Sequence, residues 1–161
     1  MIIVADSSAL VALALWNGLQ WLDYLFDKVI VPQTVFNEVA IVGKPQSNTL
    51  REYLIGKSAS VDHSNFVLTS CELGQGELEA MALYKLLKAD YLLIDDQRAR
   101  KVAQLNQIKL TGSQGVLLLA KHHGLISKVK PYLRNLHRSK IYISDSLICK
   151  ILHLAGESQL Q

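Results

Sequence analysis

Five carboxylates in this 161-residue chain stand where they could do chemistry together. The apolar run Ile2-Ile3-Val4-Ala5 ends in Asp6, and Tyr91-Leu92-Leu93-Ile94 ends in Asp95-Asp96. Glu38 falls about two turns into a helix expected after Lys28–Val31, and Glu77 opens a helix directly after Gly74-Gln75-Gly76. Carboxylates gathered at one spot repel one another, so either one takes a proton or a hard cation neutralises them. Mg²⁺ and Mn²⁺ accept oxygen ligands and retain water. On a phosphodiester such ions lower the pKa of an attacking water and stabilise the leaving oxygen.

Each acid also has an ordinary reading. Asp6 before Ser7-Ser8 suits a helix cap, and Asp95-Asp96 suits a turn and a cap. Glu77 in a first helical turn is favoured by the helix dipole, and Glu38 suits a solvated helix face. Glu79 follows Glu77 by two positions, so it points elsewhere and reads mainly as surface. The case for a site rests on the shared position of these acids relative to a sheet.

The elements that would position them follow from the apolar pattern. Strands are expected at Ile2–Ala5, Lys28–Val31, Tyr91–Ile94 and Ile108–Thr111, each short, apolar and bounded by turn residues. A further strand is expected at Phe66–Leu68. Helices are expected from Ser7 to about Trp16, Leu19 to Phe26, Gln33 onward behind Pro32, and Asn48 to Ile55. Others are expected from Glu77 to about Lys88, Arg98 to Asn106, Gln114 to His122 and Val129 to Leu136, with a last one behind a Ser144 cap. Strands alternating with helices predict an α/β fold with a mostly parallel sheet covered by helices on both faces. In such a sheet ligands bind beyond the carboxyl ends of the strands, where Asp6 and Asp95-Asp96 fall.

Composition sets the class. Half the residues are hydrophobic and 19% are charged, a globular balance. Residues 1–156 read as one domain and 157–161 as a tail. Cys71 and Cys149 are too few and too far apart for a disulfide framework or a zinc site, and fit reduced thiols in the cytoplasm. The apolar run Ala9–Trp16 lacks a preceding basic residue and is too short to span a bilayer, so no membrane role is expected. The adjacent His122 and His123 point apart on a helix and make no shared ligand pair. The net charge is +3, yet Gln97 through Ser144 contain no Asp or Glu and ten of the seventeen Lys and Arg. That asymmetry suits a polyanion. Arg98, Arg100 and Lys101 are the basic residues nearest the acids and the candidate RNA contacts.

Several segments resemble the PIN-domain family. Ile3-Val4-Ala5-Asp6-Ser7-Ser8 resembles its opening, and Val31-Pro32 through Glu38-Val39 its "VP…V…E" segment. Leu73-Gly74-Gln75-Gly76-Glu77-Leu78-Glu79-Ala80 is similar to the "GxGExEA" helix of a bacterial toxin-like (VapC-like) subgroup. Leu92-Leu93-Ile94-Asp95-Asp96-Gln97-Arg98-Ala99-Arg100 is similar to its "LLDDRRAR", and Thr111-Gly112-Ser113-Gln114-Gly115-Val116-Leu117 to its "TGTxGVLL". Ile143-Ser144-Asp145 resembles its "ISD". The resemblance implies a three-layer Rossmann-like fold and a Mg²⁺- or Mn²⁺-dependent endoribonuclease. It further implies the toxin of a toxin–antitoxin pair, with a small antitoxin as partner and a homodimeric state. It carries over Asp6, Glu38, Glu77, Asp95 and Asp96 as catalytic acids. Asp6, Glu77, Asp95 and Asp96 would be metal ligands, and Ser7, Thr111 and Ser113 hydrogen-bonding support. Of the Asp pair, the second aligns better with relatives that have a single Asp. Two other classes compete: a non-catalytic PIN domain that binds RNA or protein, and a receiver domain. A receiver domain needs an acidic pair after its first strand, where this chain has one Asp.

Overall fold

The computed structural model describes residues 1–62, 72–139, 141 and 143–158. Chain order is β1 (Ile2–Ala5), α1 (Ser7–Leu15), α2 (Leu19–Leu25), β2 (Lys28–Pro32), α3 (Gln33–Val39), α4 (Ser47–Leu54) and β3 (Ser58–Ala59). Then follow α5 (Gln75–Leu87), β4 (Tyr91–Leu93), α6 (Gln97–Leu105), β5 (Leu110–Thr111), α7 (Ser113–His122), α8 (Lys130–Arg138) and α9 (Asp145–Leu154).

Among the described residues the strands form one sheet in the order β3-β2-β1-β4-β5, and every pairing is parallel. Ile3 lies opposite Val29 on one side and Tyr91 on the other, so β1 is central. The strand pleat sends alternate residues to opposite faces, and the core divides accordingly. Ile3, Ala5, Val29, Val31 and Leu93 face a larger layer built on α1–α4 and α7–α9. Val4, Ile30, Leu92 and Ile94 face a smaller layer built on α5 and α6. A strand buried on both faces must be apolar at every position, which is why β1 and β4 read as unbroken apolar runs. The result is a three-layer α/β sandwich of Rossmann-like character. Helix α1 is apolar almost all round because it is enclosed: Leu10, Ala12 and Leu13 are fully buried between the sheet and the outer helices.

Several expectations shift. Strand β3 falls in a stretch whose sequence shows no strand pattern; its two residues pair with Val31 and Pro32 through the backbone. The strand expected at Ile108–Thr111 shortens to β5. Pro32 ends β2 and caps α3 instead of opening it. Helix α5 starts at Gln75, two residues before Glu77. The expected strand at Phe66–Leu68 lies outside the described residues. Glu157, assigned by sequence to a tail, is held inside the fold. Its carboxylate accepts from Lys121 Nζ at 2.6 Å and from the Val129 and Lys130 N–H groups at 2.8 and 3.1 Å. Among the described residues no helix is long and apolar enough to cross a membrane.

Candidate active site

The chain turns to one side of β1 to build β2 and β3, and to the other to build β4 and β5. A crevice opens at such a reversal beyond the carboxyl ends of the two central strands. The residues that leave those ends are Asp6 and Asp95-Asp96. The backbone brings them together: the Asp6 N–H continues the ladder to the Leu93 carbonyl at 2.9 Å.

Asp6 is only 2% exposed. It caps α1, its Oδ2 accepting from the Ser8 N–H at 3.1 Å and from Ser8 Oγ at 2.8 Å. Ser8 Oγ in turn accepts the Asp95 N–H at 3.1 Å. This one hydroxyl therefore ties the end of β1 to the end of β4. The sequence reading gave the support role to Ser7, which lines the adjoining cavity; Ser8 makes the bonds. The signal was present in the Asp-Ser-Ser triplet, since an N-cap carboxylate reaches the residue two places on.

Asp95 and Asp96 are adjacent but differ in surroundings. Asp95 accepts the Ser113 N–H on Oδ1 at 2.8 Å and Ser113 Oγ on Oδ2 at 2.7 Å. Both oxygens are thereby committed to the start of α7, and Ser113 is fully buried. A methyl on Gly112 would stand 2.8 Å from Asp95 Oδ1, so only glycine allows this approach. Asp96 caps α6 with Oδ1 alone, accepting from the Arg98 and Ala99 N–H groups, both at 2.9 Å. Its Oδ2 has no protein hydrogen bond among the described residues.

Glu77 sits in the first turn of α5, where its Oε2 accepts the Gly74 N–H at 2.8 Å. Glu38 is exposed on α3. A methyl on Gly76 would lie 3.5 Å from Glu38 Oε2, so the two glutamate-bearing helices meet at this glycine. Glu79 is not the surface residue that its spacing suggests. It is 6% exposed, accepting from Thr34 Oγ1 at 2.5 Å and Gln75 Nε2 at 2.7 Å, and it binds α5 to α3. A buried carboxylate needs such partners, and the partner on α3 lies 45 residues away.

Electrostatics join the acids. Burial pushes the Asp6 carboxyl above the usual range; the Ser8 and Ser7 contacts oppose this, and the Asp96 charge adds to it. Burial also raises Glu77, with Asp6 and Asp96 adding to the rise while the Gly74 N–H and Arg98 oppose it. Asp95 is raised by burial and by Asp6, against the pull of Ser113 and Arg100. The charge of Asp96 thus reaches both Asp6 and Glu77, and that of Asp6 reaches Glu77 and Asp95. Glu38, Asp95 and Asp96 line a cavity of about 440 Å³ with Ser7 and Ser8.

Among the described residues no three His, Cys, Asp or Glu side chains are already grouped to hold one metal ion. Mg²⁺ commonly uses one or two carboxylates and completes its shell with water and substrate oxygens. The unshared Asp96 Oδ2 and the repulsion centred on Asp6 fit that donor chemistry.

The surrounding groups also differ from the sequence reading. Arg100 is half-buried and turned inward, its Nη1 donating to the Ile94 carbonyl at 2.7 Å. Arg98 and Lys101 are exposed. Thr111 packs against α7, its Oγ1 2.5 Å from where a methyl on Gly115 would stand, and makes no hydrogen bond to the acids among the described residues.

No curated protein and no solved structure shows significant similarity to the chain. The family model DUF3368, a PIN domain, matches residues 2–157, from the first residue of β1 to the glutamate that fastens the C-terminal helix. PIN domains are in general nucleases that act on RNA and use divalent metals. The match spans nearly the whole fold and every acid described above, and on it the chain belongs to the PIN-domain family.

Proposed function

We propose that the chain is a divalent-metal-dependent endoribonuclease that hydrolyses RNA phosphodiester bonds. One observation carries the reading: the ends of β1 and β4 and the first turn of α5 bring carboxylates to one partly buried crevice, where burial first, and like charge after it, push Asp6, Glu77 and Asp95 upward. A purely structural set would be neutralised by neighbouring cations, whereas here Arg98 and Arg100 only partly offset the rise at Glu77 and Asp95, and the carboxyls stay raised. Asp6, Asp96 and Glu77 would hold Mg²⁺ or Mn²⁺, and Asp96 is the direct ligand of the Asp pair because both Asp95 oxygens are engaged by Ser113. Such an ion supplies Lewis-acid activation of water and stabilisation of the leaving oxygen. The chain's own residues hold the frame. Ser8 orients Asp6, Ser113 and Arg100 fix the end of β4, and the Glu79–Thr34 bond keeps α3 beside α5. Glu38 stands at the cavity wall, placed to accept a proton from water or substrate.

The resemblance of Gly74–Ala80 and Leu92–Arg100 to bacterial toxin-like segments supports a finer reading. In it the chain is a cytoplasmic toxin, homodimeric and held inactive by a small antitoxin. Two assays test these readings. Purified protein with Mn²⁺ should cleave single-stranded RNA, and Asp6→Asn should not; equal cleavage by both would remove the site from consideration. Induced expression should arrest bacterial growth, and unimpeded growth under wild-type expression with active protein would reject the toxin role.

A further inference from the structure

Beyond Asp95 the crevice does not end. A groove of about 700 Å³ runs between α6, α7 and α9, and Asp95 and Ile141 wall both it and the smaller cavity. The two hollows therefore adjoin, with Asp95 on the wall between the groove and the acid cavity. Apart from Asp95, no acidic side chain among the described residues lines the groove. Leu118, Leu147 and Ile151 give it an apolar lining. Gln97 and Gln114 edge it with side-chain amides. Its two cations are unlike: Arg100 is half-buried and donates to the Ile94 carbonyl, whereas Lys150 on α9 is exposed and has no ion pair among the described residues.

We propose that this groove is the subsite for the nucleotides that flank the cleaved bond in single-stranded RNA, with Lys150 holding a backbone phosphate and Gln114 and Gln97 reading a base edge. The inference rests on the nuclease reading above. An apolar lining takes the face of an unstacked base, amides can pair with its polar edge, and the exposed ammonium on α9 takes a phosphate as a point charge. A base stacked in a duplex cannot lie flat on such a lining, so the groove selects an open strand. The wall shared with the acid cavity and the match of charge favour a nucleic-acid strand over an apolar peptide, which would leave Lys150 and both amides without partners.

The test uses the full-length chain carrying Asp6→Asn, so that RNA is bound without being cut. Fluorescence anisotropy follows a ten-nucleotide single strand across a salt series. Lys150→Gln in that background should weaken binding several-fold and flatten the slope of log affinity against log salt by about 0.7. Gln114→Ala should narrow the spread of affinities among strands of different base composition. Annealing the strand to its complement should remove the Lys150 dependence. Unchanged affinity and slope in the Lys150 variant, with RNA still bound, would overturn the groove while leaving the nuclease reading intact. So would self-association of the chain that Leu154→Arg abolishes with no effect on RNA affinity, since a second copy would then be the occupant. No RNA binding by the Asp6→Asn protein would overturn this proposal together with the reading beneath it.

Discussion

Asp6 and Glu157 are both carboxylates withdrawn from water, and the fold handles their charges in opposite ways. At Glu157 burial would raise the pKa, but the Lys121 ammonium and the Val129 and Lys130 N–H groups outweigh it and hold the carboxyl below its usual range. At Asp6 the help among the described residues comes from Ser8 and Ser7, while the nearby charge is the like charge of Asp96. Three residues of the acid crevice are raised, and the one at the C-terminal tie is lowered. A carboxylate that serves the fold is satisfied by the fold. One left wanting a cation marks the place where the molecule meets something else.

The largest test of that contrast is Asp6→Asn. Asparagine keeps the helix cap and removes the charge, so RNA cleavage should fall below detection while thermal stability rises. The gain should be roughly 2–4 °C for each kcal/mol of repulsion relieved. A lower melting temperature would show that the crevice is not strained by charge. Divalent metal should relieve the same repulsion. Mg²⁺ or Mn²⁺ at about a hundred times its dissociation constant should stabilise the wild type by about 2.7 kcal/mol, read as a shift in Tm. The Asp6→Asn protein should respond far less. Glu157→Gln should act in the other direction and lower stability by about 2 kcal/mol, because it weakens hydrogen bonds made to a charged acceptor. Denaturant titration measures this, and a neutral result would reduce the C-terminal tie to a surface contact.

The smallest effect is in pH, and its sign differs between the two regions. Glu157 titrates below its ordinary 4.5 in the folded chain, so its contribution is present above that value and is lost as pH falls through the folded pKa. Asp6 and Asp95 titrate above their ordinary 3.8, and Glu77 above its ordinary 4.5. In the folded state they hold protons that the unfolded chain has released, so stability falls as pH rises from those values through the folded ones. In metal-free protein, Asp6→Asn should flatten the fall above pH 4, and Glu157→Gln the fall below it. Stability curves of the two variants that superimpose would break the comparison.

Much of this arrangement was legible in the amino-acid order. Strands β1 and β4 are buried on both faces, so their apolar runs are unbroken, and the acids that end them stand out. Local capping likewise leaves a mark, as at Asp6, Asp96 and Ser144. What stayed hidden depends on partners distant in the chain. Glu79 looks solvated because nothing nearby hints at Thr34. Arg100 looks fully solvated until the turn between β4 and α6 brings the Ile94 carbonyl within its reach. The difference between Asp95 and Asp96 comes from Ser113, across a strand and a turn. Strand β3 is two residues of backbone pairing with no side-chain pattern to announce it.

The tie at Glu157 has a mechanical meaning for the cleft. Helix α9 carries Lys150 and walls the groove. At its start the Ser144 hydroxyl accepts the Leu147 N–H at 3.3 Å, and just past its end Glu157 grips α7 and the head of α8. The serine cap steadies only the helix's own first turn; the Glu157 tie, with Ile148, Ile151 and Leu152 packed in the core, is what holds α9 against its neighbours. The groove beside it therefore behaves as a fixed gauge, not a jaw. The conformational entropy of setting its width is settled when the chain folds, not when a strand arrives. A ligand meets a slot already cut to size, and loosening Glu157 should blur what that slot admits before it slows what the acids do.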